Sequence, residues 1–201
     1  MGSLKFVYGA MGCGKSIDLL MSVFKKEDKG KKVIVTKPST DTKAGNKIQS
    51  RLGNLERTVD LLITPDGSYK DHWREWIEDG VEYIFVDESQ LLTAEQVQEL
   101  RDTANFMDVD VICYGLKTNF RGELFEASKK LVEVSDCMEE LSSVLCECGD
   151  NKAIFNARFV NGIFATVGDD IFIDGSDASV EYRALCPKCF SLYLKGKKNR
   201  G

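Results

Sequence analysis

The sequence predicts an α/β domain, a mainly parallel sheet covered by helices, followed by a small cysteine-bearing lobe. Three observations carry this. Short apolar runs alternate with helix-period segments as far as about Asp136. A Gly-rich loop joins the first of these runs directly to the first helix. Beyond Asp136 the alternation fades, and the remaining stretch carries two close pairs of cysteines. The expected organisation is residues 1–136 as the α/β domain, 137–195 as the lobe and 196–201 as a flexible tail.

The elements follow in order. Lys5–Tyr8 is a short apolar strand. A helix starts at Ser16, with Ile17, Leu20, Met21 and Phe24 on one face and Lys29-Gly30 at its end. Val33–Thr36 is the next strand, and Ser39–Ser50 reads as a long polar loop. Leu61–Thr64 is a further strand, and after Asp66-Gly67 a helix aligns Tyr69, Trp73 and Trp76. Tyr83–Val86 is a compact apolar strand ending in Asp87-Glu88. Thr93 and Gln96 form a capping box ahead of a helix whose spacing buries Ala94, Val97, Leu100 or Arg101, and Ala104 on one side. Val109–Tyr114 is a strand, Gly122–Lys130 a short helix and Leu131–Val134 a last strand. In the lobe, Ala153–Phe159 and Ile171–Ile173 are β-like.

Of 201 residues, 43% are hydrophobic, enough for a real core. The net charge of -5, with both signs mixed along the chain, argues against a stable nucleic-acid partner. No run approaches the length of a membrane span and the start lacks a signal-type apolar stretch, so a soluble, cytoplasmic protein without a membrane partner is expected.

Gly9-Ala10-Met11-Gly12-Cys13-Gly14-Lys15-Ser16 matches G-x-x-x-x-G-K-S, between an apolar strand and an amphipathic helix. Glycines let backbone N–H groups curl around phosphate oxygens, and the helix N-terminus adds partial positive charge. Lys15 is expected on the β- and γ-phosphates, and the Ser16 hydroxyl on Mg2+. Cys13 occupies a variable position of the loop. Asp87, at the end of an apolar strand, suits Mg2+ held through its water shell, and Glu88 suits orienting or deprotonating a nucleophile. The pair leaves open whether that nucleophile is water, as in an ATPase acting on a macromolecular partner, or an alcohol, as in a kinase.

Cys146 and Cys148 form one pair and Cys186 and Cys189 another, while Cys13, Cys113 and Cys137 are isolated. Two close pairs of thiolates can surround one Zn2+ tetrahedrally, and a complete set of four leaves no open position, which suits a structural metal. Disulfides are the competing reading, disfavoured by an odd count of seven.

These motifs, taken in order, resemble the zinc-containing thymidine kinase family, whose core is related to RecA-like phosphate-loop proteins. The resemblance covers about residues 4–194 and rests on GAMGCGKS, on VTKPSTDTK at Val35–Lys43, on VDESQLL at Val86–Leu92, on YGLKTNFRGELF at Tyr114–Phe125, on the cysteine lobe and on Tyr182. It implies a RecA-like phosphate-loop domain and a zinc lobe with a lasso-type lid, here about 160–181. It implies transfer of the ATP γ-phosphate to the 5′-hydroxyl of thymidine, with deoxyuridine as a second substrate; a nucleoside kinase of other specificity is the nearer alternative. Glu88 would be the general base and Asp87 would support Mg2+. Lys43 would stand near the transferring phosphate. Met11, Asp41, Leu91, Leu116, Phe120, Phe125, Asn156 and Tyr182 would enclose the nucleoside. The resemblance further implies a homo-dimer or homo-tetramer and feedback binding of thymidine triphosphate. The chain departs from the family pattern with Lys43 for arginine, Leu91 for an aromatic residue, Asn119 for an acid and a longer Gly175–Tyr182 stretch.

Overall fold

A computed structural model describes residues 1–42, 44–50, 55–168 and 179–196. In chain order the elements are β1 (Leu4–Tyr8), α1 (Lys15–Glu27), β2 (Val33–Pro38), β3 (Lys47–Gln49), β4 (Glu56–Thr58), β5 (Leu61–Ile63), α2 (Trp73–Asp79), β6 (Tyr83–Val86), α3 (Ala94–Met107), β7 (Asp110–Gly115), α4 (Glu126–Val134), β8 (Cys137–Glu140), β9 (Phe155–Val160), β10 (Ile163–Phe164), β11 (Val180–Leu185) and α5 (Pro187–Leu194). Six strands form one sheet in the order β5-β2-β6-β7-β1-β8, and every pairing in it is parallel. Strands buried on both faces read as continuous apolar runs, which is why β1, β2, β6 and β7 were visible as such.

Helices cover both faces. On one, Leu4, Phe6, Ile84, Val86 and Val111 pack with Val97, Leu100 and Ala104 of α3 and with Ala127 and Leu131 of α4. On the other, Val7, Val35, Phe85 and Tyr114 pack with Leu19, Leu20 and Val23 of α1. The capping box forms as the sequence predicts: Gln96 N–H donates to Thr93 Oγ1 and Thr93 N–H to Gln96 Oε1, both at 3.1 Å. Both α2 and the 3-10 turn before it, Tyr69–His72, bury an aromatic ring, Trp76 and Tyr69 respectively.

The structure corrects several expectations. The buried stripe of α1 is Leu19, Leu20 and Val23, while Met21 and Phe24 are 43% and 62% exposed. Apolar residues occupy two overlapping stripes of this helix, and the sheet takes the one that carries the compact Val23. Leu131–Val134 is the last turn of α4, because Ala127 and Leu131, four residues apart, share the core-facing side. The sixth strand is instead β8, so the main sheet continues past Asp136 to Glu140. Its sequence CMEE pairs on one side only, with β1, and its residues are largely exposed. Within the predicted 39–50 loop lies β3, which pairs antiparallel with β4 as a separate two-stranded sheet.

The lobe is a three-stranded antiparallel sheet, β10-β9-β11, closed by α5. Its own core joins Ala157, Phe159, Leu185, Phe190 and Tyr193 to Cys146, Cys186 and Cys189. The Ile171–Ile173 run, residues 169–178 of the expected lid and the tail from 197 lie outside the described residues, as does Lys43. Among the described residues no helix is long and apolar enough to cross a membrane.

Candidate active site

The Gly-rich loop leaves the C-terminal end of β1 and feeds α1. Its geometry needs its glycines. Gly14 caps α1 at φ +89°, and a side chain on Gly9 would sit 2.5 Å from both Cys13 Sγ and the Leu141 carbonyl oxygen. Lys15 Nζ folds over the loop, donating to the Gly9 and Ala10 carbonyls at 3.3 and 3.2 Å and lying 3.8 Å from Cys13 Sγ. The Ser143 hydroxyl donates to the Cys13 carbonyl at 2.9 Å. Cys13 thus packs and braces the loop from beneath.

The acid pair follows β6, which is separated from β1 by β7. Asp87 is buried, and its N–H bonds the Thr36 carbonyl at 3.0 Å. Burial pushes its carboxyl up to about 7, helped by the charges of Glu88 and Asp41; the Glu88 N–H and the charge of Lys15 oppose the shift. The nearby charges of Asp41 and Lys15 show that β2, β6 and the loop converge here. A buried acid with acidic neighbours is stabilised in its charged form by a cation, so Asp87 could hold a divalent ion.

Glu88 adopts φ 47°, ψ 37°, a left-handed conformation that costs a non-glycine residue roughly 1 kcal/mol. Its carboxylate accepts from Gln90 Nε2 at 2.5 Å. Gln90 Oε1 in turn accepts the Leu116 N–H at 2.9 Å. A single buried amide therefore ties the acid of one strand end to the segment that follows the next. That segment holds three expected nucleoside contacts. Leu116 is half-buried and its carbonyl accepts from Ser128 Oγ at 2.6 Å. Phe120 is buried, with the Arg158 guanidinium 3.5 Å from its ring centre and that of Arg121 at 4.8 Å. Phe125 is the half-buried residue that precedes α4.

Asp41 pairs with Lys37, Nζ to Oδ2 at 2.7 Å, and Lys37 is only 1% exposed. It therefore stands on the acid side of the site, near Asp87. Leu91 lies half-buried in the 3-10 turn Ser89–Leu91.

The lobe touches the loop directly. Asn156, buried on β9, accepts the Met11 N–H through Oδ1 at 2.7 Å. A crevice at this junction is lined by Tyr8, Gly9, Ala10, Lys117, Thr118 and Asn156. Tyr182 is half-buried on β11 in register with Arg158 of β9, and among the described residues its hydroxyl bonds no residue of the loop. At the start of the lid, Arg158 Nη2 donates to the Val167 carbonyl at 3.2 Å and Arg121 Nη1 to that of Gly168 at 2.7 Å.

The four cysteines converge as their spacing predicts. Their sulfur atoms all lie within 4.8 Å of one another. Thiolates about 2.3 Å from a tetrahedral centre would be spaced by about 3.8 Å, so the cluster could hold a metal ion with modest closure. Gly149, at φ +82°, turns the chain after the first pair, its N–H bonding the Cys146 carbonyl at 2.8 Å. Cys186 caps α5, its sulfur accepting the Cys189 N–H at 3.5 Å, with Pro187 at the first helical position. The Asp150 N–H, aided by the Asn151 amide, pulls the exposed Cys148 thiol down to about 6, toward the thiolate a metal requires. Burial moves Cys146 the other way.

Sequence reasoning assigned no role to Lys37, Gln90, Ser143 or Arg158. Lys37 carried a signal, a lone lysine inside an apolar strand. Gln90 stands inside the VDESQLL segment that carries the resemblance, while Ser143 and Arg158 act through partners far along the chain and carried none.

Comparison with known proteins gives the family. Residues 2–190 match the family model described as Thymidine kinase. The chain is 33% identical over 192 residues to a thymidine kinase of Francisella tularensis subsp. holarctica, covering 94% of this chain and 96% of that one. It is 37% identical over 183 residues to a thymidine kinase of Enterobacteria phage T4, covering 86% and 92%. It is 35% identical over 194 residues to one from Encephalitozoon cuniculi, covering 94% and 87%.

Proposed function

The chain belongs to the thymidine kinase family, and we propose from that premise that it transfers the γ-phosphate of ATP to the 5′-hydroxyl of thymidine, giving thymidine 5′-monophosphate and ADP, with deoxyuridine as a second acceptor. The observation that carries the reading is the convergence of the Lys15 loop, the Asp87-Glu88 pair and, through Gln90, the Leu116–Phe125 segment.

Lys15 and the N–H groups of Gly12–Ser16 bind and orient the triphosphate and stabilise the charge that spreads over the transferring group. Glu88 takes a hydrogen bond from the 5′-hydroxyl. As that oxygen forms its bond to the γ-phosphorus, the bond from phosphorus to the ADP oxygen breaks, and the proton passes to Glu88. Ser16 and Asp87 would hold Mg2+, which would supply charge neutralisation to the triphosphate. Lys43 adds a positive charge near the transferring phosphate. Met11, Leu91, Leu116, Phe120, Phe125, Asn156 and Tyr182 enclose the nucleoside, and the lid keeps competing water from the γ-phosphate. Cys146, Cys148, Cys186 and Cys189 would hold a structural Zn2+. Thymidine triphosphate would offer a triphosphate to the loop and a thymine to the lid in one molecule, which supports its action as a feedback inhibitor of a homo-oligomeric enzyme.

The direct test incubates the protein with Mg-ATP and a panel of nucleosides and separates the products. The expected product is thymidine 5′-monophosphate, with a smaller yield from deoxyuridine. A panel that returns no nucleoside monophosphate rejects the reading.

A further inference from the structure

Gln90 is buried, and both ends of its amide are engaged. Oε1 accepts the Leu116 N–H at 2.9 Å, and Nε2 donates to Glu88 Oε2 at 2.5 Å. The backbone partner decides the orientation, because an N–H can only donate. The oxygen must face Leu116, which leaves the NH2 group for Glu88. The surroundings also close on this side chain. A Cβ added to Gly115 would lie 2.8 Å from Gln90 Oε1 and 2.6 Å from Ser89 Oγ, so glycine leaves the amide the room it occupies. Glu88 itself is held in a left-handed backbone conformation, with its carboxylate carried out of the strand's regular alternation.

We propose that Gln90 is a positioning residue: its amide aims the Glu88 carboxylate and holds it in fixed relation to the Leu116–Phe125 segment that receives the nucleoside. The proposal rests on Glu88 being the base that accepts the 5′-hydroxyl proton. A glutamate carboxylate turns about its terminal bond, and the nucleophile meets the γ-phosphorus productively only in a narrow range of positions. One amide that spans both parts makes the distance from base to acceptor independent of either loop alone. The link contains no group that touches phosphate, so it leaves donor binding alone.

The test is a cycle of Gln90→Met, Glu88→Gln and the double variant, with kcat, KM for both substrates and the dissociation constant of Mg-ATP measured for each. Methionine keeps the length and cannot form either hydrogen bond. Gln90→Met is expected to lower kcat by about 10- to 100-fold, the range of one hydrogen bond to a charged group. Mg-ATP affinity should stay at the parent value, and most of the loss in kcat should vanish in the Glu88→Gln background, because a fixed distance from base to acceptor matters only while the base is present. Gly115→Ala, which displaces the same amide without changing it, should give the same kcat loss in milder form and carries the test if Gln90→Met does not fold. Losses that multiply in the double variant, or an unchanged kcat in a folded Gln90→Met or Gly115→Ala protein, overturn the proposal. Glu88→Gln at near-parent kcat removes the base reading itself, which is a different result.

Discussion

The sheet domain and the cysteine lobe are held together by different physics. The sheet is sandwiched between two apolar layers built from whole elements, α3 and α4 on one face and α1 on the other. Among its described residues the lobe has three short strands in one sheet, one eight-residue helix and a core of eight residues, three of them cysteines. Aromatic rings supply most of the rest: Phe159 meets Tyr193 edge-on at 5.2 Å, and Phe155 stacks on Phe190 at 4.4 Å. The phosphate loop and the acids thus sit on the part whose shape follows from hydrophobic burial. Asn156, Tyr182 and the start of the lid sit on the part built around the four clustered cysteines. The expected nucleoside contacts are thus divided: Leu116, Phe120 and Phe125 stand on the sheet domain, Asn156 and Tyr182 on the lobe, so losing the lobe should spare the donor site and cost part of the acceptor pocket.

Removing the metal is the strongest way to test that separation. A chelator, or Cys186→Ser, should release one Zn2+ per chain and loosen β9–β11, because metal binding energy is folding energy for such a lobe. Thymidine phosphorylation should be lost while nucleotide binding to the loop survives. Hydrogen exchange read by peptide checks it: lobe amides should exchange fast and those of β1, β6 and β7 slowly. Equal protection in both halves would dissolve the contrast. Next in size is Glu88→Gln, which keeps both halves folded and should lower kcat by about 10²–10⁴-fold, the usual share of a general base. Steady-state rates with both substrates saturating decide it.

A third test lies wholly within the sheet domain. Asp87 titrates at about 7 in the folded protein, against 3.8 for its ordinary value. Between these values the folded protein holds a proton that the unfolded chain has released. Stability of the nucleotide-free protein should therefore fall as pH rises from about 4 to about 7. Asp87→Asn should remove that dependence and raise the melting temperature at pH 8 by several degrees while abolishing most turnover. Melting curves across pH check both, and a lobe that melts separately should be indifferent to the change.

What the sequence could convey divides along the same line. GAMGCGKS, the apolar strands and the capping box are local patterns, and each formed where its residues stand. The cysteine pairs were legible because metal chemistry tolerates few ligand sets. β8 was not, since an edge strand with exposed residues needs no apolar run. Leu131–Val134 misled because two β-branched valines outweighed a helical period that α4 continues. The links that organise the site were the least legible. Gln90 meets a backbone N–H 26 positions away, and Asn156 one 145 positions away, so neither leaves a mark in local spacing.

The smallest expected effect concerns the seam between the halves, where Asn156 of the lobe accepts the Met11 N–H of the loop. Asn156→Ala leaves that N–H without its partner, at a cost of about 1–3 kcal/mol. Part of this falls on loop geometry, so kcat/KM for thymidine should drop by roughly tenfold and the melting temperature by a few degrees. Asn156→Asp is the sharper variant. It keeps an oxygen for Met11 and adds a negative charge beside the phosphate loop. If the bond serves only to join lobe and loop, this variant should keep parent stability and lose affinity for ATP through repulsion of the triphosphate. If it instead loses affinity for thymidine alone, the amide's donor side reads the nucleoside, and the seam belongs to the acceptor half. Titrations of the two ligands, each in the absence of the other, separate these outcomes.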